Sequence, residues 1–329
     1  MEIYRDASQP VKARAKDLIL KMTLDEKIAQ LGAIWSYEIL KDEKFSSRKA
    51  KALIKDGIGH ISRPGAITGL PLERIAGFTN EIQGFLVTKT RLGIPAIIHE
   101  ECLSGFMAKG ATIFPQMIGM ASTWEPELLE KITSFIKGQM RAVGVHQALS
   151  PVLDVSRDPR WGRVEETFGE DPYLIAKMGI AYIKGLQGDD LKNGVLATLK
   201  HFVGYGLSEG GLNWAPAHIP SRLLKEVYLY PFNEVIKKGK ALAIMNAYHE
   251  IDGVPCTAHK ELLTKILRGE WGFEGIVVSD YSSIEMLRTW HQAVSTRKEA
   301  ARMAIEAGID VELNSIECYG QELVDAVGE

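Results

Sequence analysis

Along the chain, short runs of β-branched and apolar residues alternate with longer segments whose apolar positions recur every three or four residues. The short runs fall at 58–62, 94–98, 117–121, 145–149, 195–200, 242–246, 276–279 and 309–313. Between them the helical segments carry recognisable ends. Thr23-Leu24-Asp25-Glu26 reads as a capping box, the Thr23 hydroxyl and the Glu26 carboxylate each satisfying an orphan backbone amide. Thr123, followed by Glu125 and Pro126, opens a helix running to about Val143, with proline in the first turn where no amide hydrogen is needed. Asp171-Pro172 opens another to about Leu186, Ser221 caps one that runs through Lys238 to Gly239, and a segment from Ala300 to Ala307 precedes Gly308. This alternation is the βαβα signature, and eight strands are the number that closes a parallel ring. The expected fold is therefore α/β, a TIM-like (β/α)8 barrel formed as a single domain.

Composition narrows the function classes. The 329 residues are 46% hydrophobic and 25% charged, the balance of a folded globular chain rather than a disordered or fibrous one. Thirty-nine Lys and Arg against 42 Asp and Glu leave a formal charge of −3, which supplies no field to draw in nucleic acid or an anionic membrane. Cys102, Cys256 and Cys318 lie far apart, with neither the CxxC spacing of a metal site nor the even count of a disulfide framework. The opening MEIYRDASQP has no apolar core of a signal peptide, and no stretch approaches eighteen uninterrupted apolar residues. The expectation is a cytoplasmic protein with reduced thiols. A doubly wound sheet competes for the fold, but neither GxGxxG nor GxxxxGK[ST] follows an early strand, so no nucleotide cofactor is expected.

In a barrel, polar residues at the C-terminal ends of strands are the default catalytic candidates, because loops build that face while the interior is packed. The runs end on or near His99-Glu100-Glu101, Asp154, Lys200-His201, Tyr248-His249 and Asp280. Asp280 terminates the apolar run Ile276-Val277-Val278, where a carboxylate costs desolvation free energy unless partnered. It reads equally as a helix N-cap for the segment after Ser282. Lys200-His201 reads as an ordinary paired couple or as a site. The charged stretch 157–171 reads as a solvated loop or, given its interleaved Pro159, Trp161 and Phe168, as a folded one facing a ligand. His99-Glu100-Glu101 raises a metal reading, but no second histidine stands at helical spacing, and no catalytic metal is expected.

Four longer motifs in order carry more information. Arg160-Trp161-Gly162-Arg163-Val164-Glu165-Glu166-Thr167-Phe168-Gly169-Glu170-Asp171-Pro172, then Lys200-His201-Phe202, Met245-Asn246-Ala247-Tyr248, and Trp271-Gly272-Phe273-Glu274-Gly275-Ile276-Val277-Val278-Ser279-Asp280-Tyr281 resemble successive signatures of glycoside hydrolase family 3. The resemblance covers nearly the whole chain and is to the N-terminal barrel domain of that family. It implies an exo-acting, retaining β-glycosidase with Asp280 as nucleophile. It further implies that Glu101, Arg163, Lys200, His201 and Tyr248 bind the hydroxyls of the terminal sugar, and that Tyr281 forms an aromatic wall. No cofactor is implied. Glu101-Cys102-Leu103-Ser104-Gly105 is similar to an E-A-L-H-G form associated with xylosidases rather than D-A-V-H-G, and implies a xylo-oligosaccharide substrate before a gluco-oligosaccharide or an α-L-arabinoside.

The resemblance also implies something not found here. The family's acid/base is usually a Glu of a C-terminal α/β sandwich domain, or in one branch a His within Asp-x-His. The loop 205–218 lacks that motif, leaving Glu209 or His218 as substitutes. The expectation is that the 329 residues are one part of a larger enzyme, whose further domain docks at the barrel mouth and brings the acid. The alternatives are a sugar-binding barrel without catalysis, needing a partner chain, and a metal-dependent barrel hydrolase.

Overall fold

The computed structural model describes residues 2–327. Seven strands, β1 (Ala33–Trp35), β2 (His60–Ser62), β3 (Ile97–Glu100), β4 (Gln147–Ala148), β5 (Leu196–Phe202), β6 (Ala243–Asn246) and β7 (Ile276–Val278), form one parallel sheet in chain order. The segment 309–313 fills the gap between the first and last of them. On one side Val311 bridges Val278 in parallel, and on the other the Glu312 amide donates to the Leu31 carbonyl at 2.8 Å. The sheet thus curls into a ring of eight staves.

Period-2 alternation sorts the strand residues between two cores. Ala33, Leu149, Met245, Val278, Val311 and Leu313 come from five different staves yet pack together, so they plug the inside of the ring. Their neighbours Ile34, Ala148, Ile244 and Val277 point the other way, into a larger core beneath helices that include Leu72–Lys89, Pro126–Ala142, Pro172–Gln187, Leu229–Gly239 and Arg297–Ala307. Among the described residues, no helix is long and apolar enough to cross a membrane.

Local chemistry explains several helix ends. The Thr23–Glu26 capping box is present, and Asp171 accepts from the Tyr173 amide ahead of Pro172. Ser221 is not a cap; it is already the first helical residue, after Pro220. The expected strand at 117–121 is instead the helix Met117–Ala121. Its buried Met117, Met120 and Ala121 stand at helical spacing, and in so short a run that spacing is masked by continuous hydrophobicity. Conversely β1, only three residues long, was not anticipated, so the count of eight survives by exchange of one stave for another. The expected strand at 94–98 is displaced to Ile97–Glu100, which brings Glu101 to the mouth.

Glu100 closes β3 with its side chain fully buried. Its Oε1 accepts the Gly65 amide, whereas Oε2 has no hydrogen-bond partner among the described residues. Burial pushes the carboxyl from 4.5 up to about 8, against the pull of the Gly65 hydrogen bond. Between those two values the unfolded chain has released a proton that the folded chain keeps, so this group lowers stability as pH rises through the window. Glu100→Gln keeps the acceptor and removes the penalty. It is expected to raise stability at pH 8 by on the order of 2–4 kcal/mol, fading to nothing near pH 4, in thermal melts across that range. A gain independent of pH would contradict this account.

Candidate active site

Each stave ends at the same rim, and the loops that follow carry the polar groups. Glu101 follows β3, Lys200 and His201 lie near the C-terminal end of β5, Tyr248 follows β6 and Asp280 follows β7. Lys200 Nζ donates to both oxygens of Glu101 at 2.9 Å, with the lysine 3% exposed. The contact is bidentate and largely removed from water.

His201 is the hub of a buried chain. Its backbone amide and Nδ1 both meet Asp154 Oδ2, at 3.1 and 2.7 Å, and its Nε2 lies 3.1 Å from Arg163 Nη2. A guanidinium has only donors, so Nε2 must accept and Nδ1 must carry the proton that goes to Asp154. Burial, with Arg163 and Lys200 nearby, holds His201 well below the ordinary imidazole range, which keeps it neutral. Arg163 also forks onto Glu166 at 3.1 and 2.7 Å and lies over the Tyr205 ring.

Asp280 is 6% exposed. Its Oδ1 accepts the Tyr281 amide at 2.7 Å, and its own amide donates to Asn246 Oδ1 at 3.2 Å. The next helix, Met286–Thr289, has Glu285 in the cap position, so the N-cap reading of Asp280 is set aside. Oδ2 sits 3.5 Å from His201 Nε2, but that nitrogen's lone pair already faces Arg163, and Oδ2 is left without a hydrogen-bond partner among the described residues. Burial pushes the carboxyl up to about 6, while Arg163, Lys200 and the Tyr248 hydroxyl pull it down. At neutral pH it is an ionised carboxylate with one oxygen uncommitted.

The structure thus brings Asp280, Glu101, Arg163, Lys200, His201 and Tyr248 to one rim. Tyr281 adjoins them through its backbone, but its hydroxyl meets His99 Nε2 at 3.0 Å and its ring lies edge-on to Trp35. That division also dissolves the metal reading of His99-Glu100-Glu101. His99 meets Tyr281, Glu100 meets Gly65 and Glu101 meets Lys200. The stretch 157–171 is folded, with Trp161 and Phe168 buried and Trp161 edge-on to Tyr205. Glu209 and His218 pair with each other at 3.2 Å on exposed chain and make no hydrogen bond or ion pair to the six rim residues. Sequence reasoning left out Asp154 as the partner of His201, Glu166 as the partner of Arg163, and the rings of Tyr205 and Trp214 beside Tyr248. Asp154 had a signal, a carboxylate ending an apolar run; the others had none in local pattern.

Residues 23–329 match the model of the glycosyl hydrolase family 3 N terminal domain. The chain belongs to glycoside hydrolase family 3. Among curated family members, a putative β-xylosidase of Formosa agariphila is 37% identical over 96% of this chain and 43% of its own length. The periplasmic β-glucosidase of Salmonella typhimurium is 33% identical over 90% of the chain and 37% of its own length. Among solved structures, a β-glucosidase from Erythrobacter marinus superimposes with a TM-score of 0.92 at 35% identity, covering 99% of this chain and 43% of that one. A variant β-glucosidase from Listeria innocua, in complex with laminaribiose, gives 0.86 at 29% identity over 97% and 44%. The chain therefore spans under half the length of these family 3 relatives.

Proposed function

We propose that this chain forms the sugar-binding, nucleophile-bearing part of a retaining, exo-acting β-glycosidase, with terminal β-D-xylosyl residues as first substrate and β-D-glucosyl or α-L-arabinosyl residues as secondary ones. The observation that carries this reading is the uncommitted Oδ2 of Asp280, buried and ionised beside two cations. In such a mechanism Oδ2 attacks the anomeric carbon as the bond to the leaving oxygen breaks, and water later releases the sugar from the ester. Lys200, Glu101 and Arg163 supply donors and acceptors that would fix the ring for in-line attack. Neutral His201, held by Asp154, keeps its orientation without competing for the proton. The xylosyl preference rests on the length of Glu101, which would occupy space that a hexose needs for its exocyclic CH₂OH, and on likeness to β-xylosidase relatives.

The acid that protonates the leaving oxygen is proposed to come from outside the described residues. Near Asp280, Glu101 is held by Lys200, Glu166 by Arg163, and Asp154 lies beneath His201. Activity is then expected to depend on how badly the leaving group needs a proton. Dinitrophenyl β-xyloside should give a burst of phenolate, and xylobiose should be turned over far more slowly, if at all. Matched xylosides and glucosides test the sugar preference, which fails if glucoside turnover is tenfold the greater. Full activity on xylobiose by this chain alone would overturn the external acid. Calorimetric binding of xylose with no burst would favour a sugar-binding barrel without catalysis.

A further inference from the structure

Tyr248 is placed by more than its own loop. The chain after it turns back as a two-stranded hairpin, Glu250–Ile251 against Val254–Pro255, and the segment that follows β7 reaches it with His291. The His291 side chain is 2% exposed. Its Nε2 meets the Tyr248 carbonyl at 2.9 Å, and its Nδ1 meets Glu250 Oε2 at 3.3 Å. The ring is fixed from its own side as well. The Trp290 and His291 amides both donate to the Met286 carbonyl, at 3.0 and 2.9 Å, and the Ala293 amide donates to the Leu287 carbonyl at 2.9 Å.

Donor and acceptor count alone sets the protonation of this ring. A carbonyl and a carboxylate both accept, so a neutral imidazole, with one N–H, satisfies one of them and turns a lone pair toward the other. Only the imidazolium donates to both, and it sets a positive charge against the Glu250 carboxylate, which is 25% exposed and keeps water on its far side. His201 is the opposite case, since the Arg163 donor there demands a bare Nε2. Other titratable groups on the elements packed here leave the count unchanged. His249, next to Tyr248, is held down to about 3 by burial and then by His291, and is neutral. Arg288 pairs with Glu285, and His218 pairs with Glu209 and Asp252.

We infer that His291 is a positioning residue for Tyr248, an imidazolium latch between the loops that follow β6 and β7. It acts on substrate only through Tyr248. The latch fixes the Tyr248 backbone, and with it the phenol whose hydroxyl bonds to Asp280. Loss of one ring proton sets a lone pair against a lone pair at Tyr248 or at Glu250, and the latch opens. It is therefore closed at low pH and opens as pH rises, so sugar affinity falls on the alkaline side while attack by bound Asp280 carboxylate does not. The inference rests on the glycosidase reading and adds a pH control over its sugar subsite.

The test follows xylose affinity by titration calorimetry from about pH 5 to 9, alongside the ring ¹⁵N shifts of His291, assigned by their absence in His291→Leu. In the unaltered chain both ring nitrogens should be protonated where affinity is highest, and loss of one proton should coincide with a fall in affinity of about fivefold. Glu250→Gln keeps the Tyr248 contact and offers Nδ1 an amide donor, so a neutral ring satisfies both sides and the alkaline fall should vanish. His291→Leu should show the weaker affinity throughout; if it does not fold, Glu250→Gln still decides. Asp280, which titrates at about 6, is common to all three chains, so their difference isolates His291. On the alkaline side the burst from saturating dinitrophenyl β-xyloside should keep its rate while the concentration for half-saturation rises. A bare ring nitrogen at the pH of strongest binding, or the same alkaline fall in Glu250→Gln, would overturn the latch and leave the glycosidase reading standing. Failure of the unaltered chain to bind xylose at any pH would overturn both.

Discussion

Asp280→Ala is expected to abolish phenolate release from dinitrophenyl β-xyloside, with a fall on the order of 10³-fold or more, because no other group is placed to attack. The uncommitted Oδ2 is the only carboxylate oxygen at the rim that lies beside two cations and lacks a partner among the described residues. Asp154 also has a free oxygen, but it is buried behind His201, and Glu101 is bound at both oxygens by Lys200. Removing the carboxylate leaves a space in the field of Arg163 and Lys200, the two cations that pull on Asp280. Azide added to Asp280→Ala should therefore attack from the same side and yield α-xylosyl azide, identifiable by its anomeric proton coupling; a β product would place the attack elsewhere. The pH profile of the unaltered chain should report the same group. Its carboxyl titrates at about 6, and only the ionised form attacks, so the burst rate should be flat above that pH and fall as pH drops through it. A profile that rises on acidification would remove Asp280 from the role.

The second large effect belongs to Lys200. Its ammonium is 3% exposed, the Glu101 carboxylate 15%, and neither is free to recruit water in place of the other. Breaking such a pair from one side costs about 3–5 kcal/mol, because a carboxylate stays in the low-dielectric rim without its counter-charge. Lys200→Met should lose stability of that order in chemical denaturation and should lose xylose binding by more than about 100-fold. The double variant Lys200→Met/Glu101→Leu should regain most of the stability and none of the binding. That contrast separates a structural ion pair from a sugar ligand, since a double-mutant cycle isolates the coupling between the two. Additive losses of stability would mean the pair contributes little.

The barrel and its rim were legible in the sequence to different depths, for physical reasons. Runs such as 195–200 and 242–246 stand out because a strand covered on both faces must be apolar throughout, and both are strands. Ala33–Trp35 escaped because three residues are too few to show a period, and Met117–Ala121 misled because five apolar residues in a row fit either period. At the rim, the position of Asp280 after an apolar strand announced an ionisable group where desolvation matters. The state of His201 was not legible at all. It is set by Asp154, 47 residues away, and by Arg163, 38 residues away, contacts that exist only once β4 and β5 lie side by side. Trp214 was equally silent, since an exposed tryptophan in a glycine-rich loop acquires meaning only from the rings beside it.

The eighth stave has a further bearing on Asp280. Segment 309–313 is joined to β7 through the bridge at Val311 and the hydrogen bonds between Asp310 and Val277, and it clasps the residues around Asp280 on both sides. The Ser279 amide donates to Val311, Ser279 Oγ receives the Leu313 amide at 2.9 Å, and the Ser282 amide donates to Leu313. Glu312, between them, turns outward and gathers the amides of Glu317, Cys318 and Tyr319 on one carboxylate. In chain order the strand that leads to Asp280 precedes the segment that clasps it, the last of the eight staves. The setting of Asp280 is completed by the same contacts that seal the wall.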